Sequence, residues 1–167
     1  MSIIVCPLHD VAALVRLRRP AHVLSLMSPT AAPVLLSPCD AHHLELRFND
    51  ISEPRTGLIE PDESHVDAIL AHVQDLGLQD TVLVHCWAGV SRSPAAAFII
   101  SCARSEKGME PAIARRLREA APYATPNPRM VALADGLLSR GGAMIDAVAA
   151  IERGSETAWG SPFELEY

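Results

Sequence analysis

The chain has 167 residues, 49% of them apolar and 20% charged, enough for one packed domain and too hydrophobic for a disordered one. Its 14 basic and 20 acidic side chains leave a net charge of −6, which argues against a nucleic-acid partner or an acidic membrane surface, since both need clustered Lys and Arg. No apolar run is long enough to span a bilayer, so no membrane insertion is expected, and Pro7, His9 and Asp10 break up any signal-like N-terminus.

Ile3 to Cys6 is a β-branched run stopped by Pro7 and predicts a first strand. Leu8, Val11, Ala12, Val15 and Arg18 then fall at helical spacing, and Pro20 closes that helix. His22 to Met27 predicts a second strand, followed by turn residues around Ser28 to Pro33. Val34 to Leu36 fits either a short strand or nothing regular. Leu44, Leu46 and Phe48 alternate with Glu45 and Arg47, the period of a strand with one buried face.

Asn49 to Gly57 is polar, carries Pro54 and Gly57, and predicts a loop. A helix is expected from Pro61 to about Leu76, with Asp62 and Glu63 in its first turn. The dense run Thr81 to His85 suits a central strand buried on both faces. Ser93 and Pro94 read as N-cap and first helical residue of a helix to about Arg104. Further helices are expected over 110–120, 128–139 and 143–153. Residues 154–167 lack periodicity and read as a C-terminal surface tail behind a single domain of residues 1–153. The expected class is α/β, with a central, mostly parallel sheet flanked by helices.

Chemistry concentrates in the stretch from His85 through Cys86, Trp87, Ala88, Gly89, Val90, Ser91, Arg92 and Ser93 to Pro94. A buried strand ends at His85, a short loop follows, and a helix begins. That puts the Cys86 side chain at the carboxyl end of a strand, in front of a helix N-terminus. Loop amides from Trp87 to Arg92 can converge on an anion. The same field favours thiolate over thiol at Cys86. Arg92 adds a planar fork for two phosphate oxygens, and Gly89 lets the loop turn tightly. The bland alternative is a buried, inert thiol at a strand end.

This stretch resembles the signature of the protein tyrosine phosphatase superfamily: His-Cys, five residues, then Arg followed by Ser or Thr. The Ser-Arg-Ser at 91–93 is most similar to the small, bacterial-type dual-specificity phosphatases. The resemblance implies that family's cysteine-based fold. It also implies that Cys86 forms a cysteinyl-phosphate, that Arg92 binds phosphate, and that Ser93 helps the sulfur leave. His85 would brace the loop from behind.

Phosphate ester cleavage also needs a proton for the leaving oxygen and later a base for water. Asp50 is the candidate, since Phe-Asn-Asp-Ile resembles the general-acid loop of the dual-specificity phosphatases; ordinary turn chemistry after a strand is the competing account. Asp40, Asp62 and Glu53 are weaker rivals. Asn127, in Thr-Pro-Asn-Pro, resembles the family's Asn that supports the phosphate loop. It is also a plain N-cap before Pro128.

His42–His43 and the pair His65 and His72 do not complete a metal-ligand set, so neither metal nor cofactor is expected. Arg115, Arg116 and Arg118 read as a solvated helix face. Cys86, Cys6, Cys39 and Cys102 have no framework spacing, which favours reduced thiols and a cytoplasmic location. The expected activity is metal-independent hydrolysis of phosphate monoesters, with a phosphorylated protein or a small phosphate monoester as partner. A non-catalytic phosphate-binding module and a rhodanese-type sulfurtransferase are the alternatives.

Overall fold

Strands of continuous apolar sequence must be covered on both faces, and that requirement organises the chain. A computed structural model describes residues 2–36, 41–77 and 79–166. Five strands form one sheet in the order β3-β2-β4-β1-β5. They are β1 (Ser2–Pro7), β2 (His22–Met27), β3 (His42–Arg47), β4 (Thr81–Cys86) and β5 (Phe163–Glu166). The first four run parallel, and β5 pairs antiparallel with β1.

The helices are α1 (Val11–Arg18, after a 3-10 turn at Leu8–Asp10), α2 (Glu63–His72), α3 (Arg92–Ala103), α4 (Glu110–Ala120), α5 (Pro128–Leu137) and α6 (Ala143–Ala150). Alternation along each strand sends Ile4, Cys6, Val23 and Leu83 to the α1 face. Ile3, Val5, Leu24, Leu26, Val82, Val84 and Cys86 face the larger layer, where Phe98, Ile99 and Ile113 complete the core. α3 is buried from Arg92 to Cys102, and this all-round burial suits its run of Ala, Phe and Ile.

Two expectations change, and the open reading of Val34 to Leu36 resolves to its second alternative. The α2 helix begins at Glu63, with Asp62 as its N-cap in a reciprocal capping box with His65, and it ends at His72 rather than near Leu76. Val34 to Leu36 is irregular. The tail assigned to residues 154–167 returns to the sheet instead: Phe163 and Leu165 alternate inward from β5 into the core while Glu164 pairs with Arg18. Four residues are too few to display a period, so only pairing with β1 reveals the strand.

Arg118 is also more than a solvated charge. Its guanidinium donates to the carbonyls of Pro122 at 2.7 Å, Ala124 at 2.8 Å, Ile151 at 3.0 Å and Glu152 at 2.8 Å, joining the end of α4 to the end of α6. No helix among the described residues is long and apolar enough to cross a membrane.

Leu165, 2% exposed, makes the contribution of the last strand testable. Leu165→Ala is expected to cost about 2–5 kcal/mol in urea unfolding. A loss below roughly 0.5 kcal/mol, the size of an ordinary surface substitution, would show that β5 is dispensable.

Candidate active site

β4 occupies the middle of the sheet, with β1 and β2 on either side, and Cys86 is its last residue. α1 covers one face and α3 the other, so the crevice at the carboxyl ends of these strands is where a ligand fits an open α/β sheet. Residues 87–91 cross this crevice to α3. Gly89 sits at φ +73°, and a Cβ there would lie 2.8 Å from the Pro7 nitrogen, so the loop packs against β1 only with glycine at this position.

The Cys86 sulfur lies 3.2 Å from the Ser93 hydroxyl and accepts the Gly89 N–H at 3.3 Å. The Ser93 contact follows from where α3 starts. Its N-cap is Ser91, so Arg92 opens the helix, Ser93 stands second and Pro94 third. The expected N-cap at Ser93 is thus two residues late. Proline is tolerated in a first turn whose N–H groups have no partner inside the helix, so Pro94 does not mark the first residue by itself. The shift leaves the Ser93 hydroxyl on the sulfur rather than on the helix end.

Arg92 is 4% exposed. One terminal nitrogen donates to the Phe48 carbonyl at 2.9 Å and reaches the Ser28 hydroxyl at 3.5 Å. Its Nε is buried and has no hydrogen-bond partner. The nearest carboxylate oxygen, Asp50 Oδ2, stands 3.8 Å away. A buried guanidinium N–H without an acceptor is costly unless an anion completes it.

Asp50 hangs over the loop with its side chain 34% exposed. Its Oδ1 accepts from the Ser91 hydroxyl at 2.7 Å and from the Asn127 side-chain amide at 2.8 Å. Oδ2 is the oxygen left facing the guanidinium. Asn127 also caps α5, its Oδ1 accepting the Arg129 and Met130 N–H groups at 3.1 Å each. Cap and support therefore coexist, but the side chain holds the Asp50 loop, while the 87–91 loop is tied by backbone bonds from Thr125 to Val90 and from Asn127 to Ser91.

His85 is fully buried, and its Nε2 lies 2.6 Å from the Ser25 hydroxyl, which in turn lies 2.8 Å from His43 Nε2. The bracing expected of His85 thus runs sideways through β2 to β3. Burial pushes the His85 imidazole down to about 4, partly offset by the neighbouring Cys86 peptide, which Nδ1 approaches outside hydrogen-bond geometry. Ser25, a lone hydroxyl inside an apolar strand, was the signal for this contact; Ser28 gave none.

Of the other carboxylates considered, Asp62 is taken by its helix cap, Glu53 is exposed, and Asp40 lies outside the described residues. His65 and His72 do not act as a pair: His65 closes the α2 cap, and His72 packs edge-on against His22. No group of three His, Cys, Asp or Glu among the described residues is placed to hold a metal ion. Burial raises the thiols of Cys6 and Cys102 to about 12, leaving both as neutral packing residues.

The arrangement brings together a sulfur atom, a buried cation with a free donor, and a carboxyl, all at the carboxyl end of the parallel strands. The architecture that carries it is the α/β fold of the cysteine-based dual-specificity phosphatases. The chain resembles DUSP15 over 93% of its own length and 94% of that structure, with a TM-score of 0.64 and 19% sequence identity. It likewise resembles the Yvh1 phosphatase domain from Chaetomium thermophilum over 85% of this chain and 93% of that one, at a TM-score of 0.60 and 21% identity. The PTP-2 phosphatase of Cydia pomonella matches over 80% and 84%, at 0.61 and 22%. No protein-family model and no curated protein sequence matches the chain.

Neutral His85 makes stability depend on pH. The ordinary imidazole value is 6.5 and the folded value about 4, so the unfolded chain takes up its proton first as pH falls. The His85 contribution is complete above about pH 6.5 and is lost progressively toward pH 4. Half-buried His72, also lowered to about 4, acts in the same direction. Urea unfolding is expected to show a loss on the order of 2 kcal/mol from His85 between pH 7.5 and 5.0. His85→Gln should flatten that slope, and an unchanged slope would remove His85 as its source.

Proposed function

We propose that the protein is a cysteine-dependent phosphate monoester hydrolase of the tyrosine or dual-specificity type. The observation that carries this reading is the buried, unpartnered Nε of Arg92, on the residue just before Ser93, whose hydroxyl meets the Cys86 sulfur. A phosphate dianion held by Arg92 and by the amides of Trp87, Ala88, Gly89, Val90, Ser91 and Arg92 would complete that donor and set phosphorus before the sulfur. The phosphatase structures that share the fold support the same class.

In the first step the Cys86 thiolate attacks phosphorus in line, the P–O bond to the leaving group breaks, and Asp50 gives its proton to the departing oxygen. Ser91 and Asn127 occupy Oδ1, so Oδ2 is the oxygen that carries this proton. In the second step Asp50 takes a proton from water, whose oxygen attacks phosphorus and breaks the P–S bond. Ser93 then donates to the departing sulfur, and Arg92 with the loop amides holds the equatorial oxygens throughout. No metal is required at any step. The substrate is a phosphorylated protein or a small monoester, and a free thiol nucleophile suits the reducing cytoplasm.

The test is hydrolysis of aryl phosphates with EDTA present. Cys86→Ser is expected to abolish turnover, and acid-quenched wild type should carry phosphate on Cys86 by mass spectrometry. Asp50→Ala should lower kcat for phenyl phosphate by roughly 100-fold or more, and less for para-nitrophenyl phosphate, whose leaving group needs little proton help. Phosphate binding without release under any of these conditions would make the protein a binding module instead.

A further inference from the structure

Trp87 follows the nucleophile, yet 52% of it is exposed. Its ring centroid lies 5.8 Å from that of Trp159, within the range of favourable aromatic pairs, and His9 meets Trp159 edge-on at 5.3 Å. Trp159 belongs to the segment that precedes β5, and that segment is fastened to the loop. The Gly160 N–H donates to the Ala88 carbonyl at 2.8 Å. A Cβ on Gly160 would stand 2.6 Å from the Tyr123 ring and 2.9 Å from the Gly89 carbonyl oxygen, so the backbones approach as closely as glycine permits. The Ser161 N–H donates to the Tyr123 hydroxyl at 2.9 Å, and that hydroxyl donates back to the Ser161 carbonyl.

Trp87 also borders a cleft of about 200 Å³. Leu8, Val11, Met27, Pro33 and Leu35 line it with no charged side chain. Its outer wall is held in place, because Arg47 donates to the Ser28 and Ala31 carbonyls and Glu45 accepts the Val34 N–H at 3.1 Å. Met27 precedes Ser28, which touches Arg92, and Trp87 follows Cys86, so the cleft is walled by chain neighbours of two residues of that site. Its volume is below that of a pocket for a whole ligand and suits one ring system.

We infer, on the phosphatase reading above, that Trp87, Trp159 and this cleft form a leaving-group subsite for an extended apolar aryl group. The preferred substrates are then bulky aryl monoesters, and Trp159 is a specificity-determining residue contributed by the C-terminal segment. Flat rings gain offset or edge contacts with the two indoles. Sugar and polyol phosphates would surrender hydroxyl hydration in a cleft that offers no charged side chain.

The experiment compares kcat/KM for 2-naphthyl phosphate and phenyl phosphate, whose phenols leave about equally well, with orthophosphate inhibition measured alongside. Wild type is expected to favour the naphthyl ester by roughly three- to tenfold. Trp159→Ala should lower that ratio while leaving orthophosphate inhibition unchanged. Trp87→Ala should bring the ratio to about one whatever its absolute rate, and Trp87→Phe should restore part of it. A wild-type ratio near one, or a ratio unmoved in both alanine variants, overturns the subsite while leaving the hydrolase standing. If neither ester is hydrolysed, the hydrolase reading fails, and calorimetry on the same protein then decides: tighter binding of naphthyl phosphate than of orthophosphate, lost in Trp159→Ala, upholds the subsite, and equal binding removes it.

Discussion

A guanidinium cannot be buried cheaply, and Arg92 is almost wholly buried. Removed from water, it must find acceptors or leave an uncompensated charge in a low-dielectric interior. Those acceptors arrive from two directions. The Phe48 carbonyl follows β3, and the Ser28 hydroxyl follows β2. Because Arg92 itself opens the helix that leaves β4, one side chain gathers the carboxyl ends of three strands around a single point. Satisfying only part of its donor set leaves Nε buried without a hydrogen-bond partner.

The rest of the site is organised around that point by residues with shared duties. Asn127 uses its oxygen to cap α5 and its amide to hold Asp50, so the carboxyl is oriented by a group that is itself fixed by two backbone bonds. Ser91 ends the loop at the N-cap position of α3, where its hydroxyl makes no cap bond and donates to the same carboxylate oxygen instead. On the opposite face of the sheet, Ser25 ties His85 to β2 and keeps the strand end from shifting beneath the sulfur. Each contact removes a rotamer choice from a group that must be placed within a fraction of an ångström.

The segment after α6 illustrates how a stretch without periodicity can still be decisive. Ser155 donates to the Pro122 carbonyl, Gly160 to Ala88, and β5 then closes the sheet edge beside β1. The chain thereby brings a second indole to the rim of the loop. Arg118 behaves similarly: on a helix wheel it belongs to a charged face, but the carbonyls left over at two helix ends give it fixed acceptors.

Much of this protein is legible in its sequence because the relevant signals are local. Apolar runs, alternation and proline or glycine breaks place the first four strands and six helices to within a few residues. Seven consecutive residues, Cys86 to Arg92, hold the thiol, the loop and the cation. The helix boundary at Arg92 was not legible, because Ser-Pro fits more than one place in a first turn and only the sulfur and Asp50 decide between them. Nor were the partners of that site: Asp50 meets Ser91 across 41 residues and Asn127 across 77, and Ser25 meets His85 across 60. Sequence by itself determined which chemical groups are present and on which element each one rides. Only the tertiary structure decided which groups meet, because contacts between distant residues depend on sheet order and register, and no local pattern encodes either.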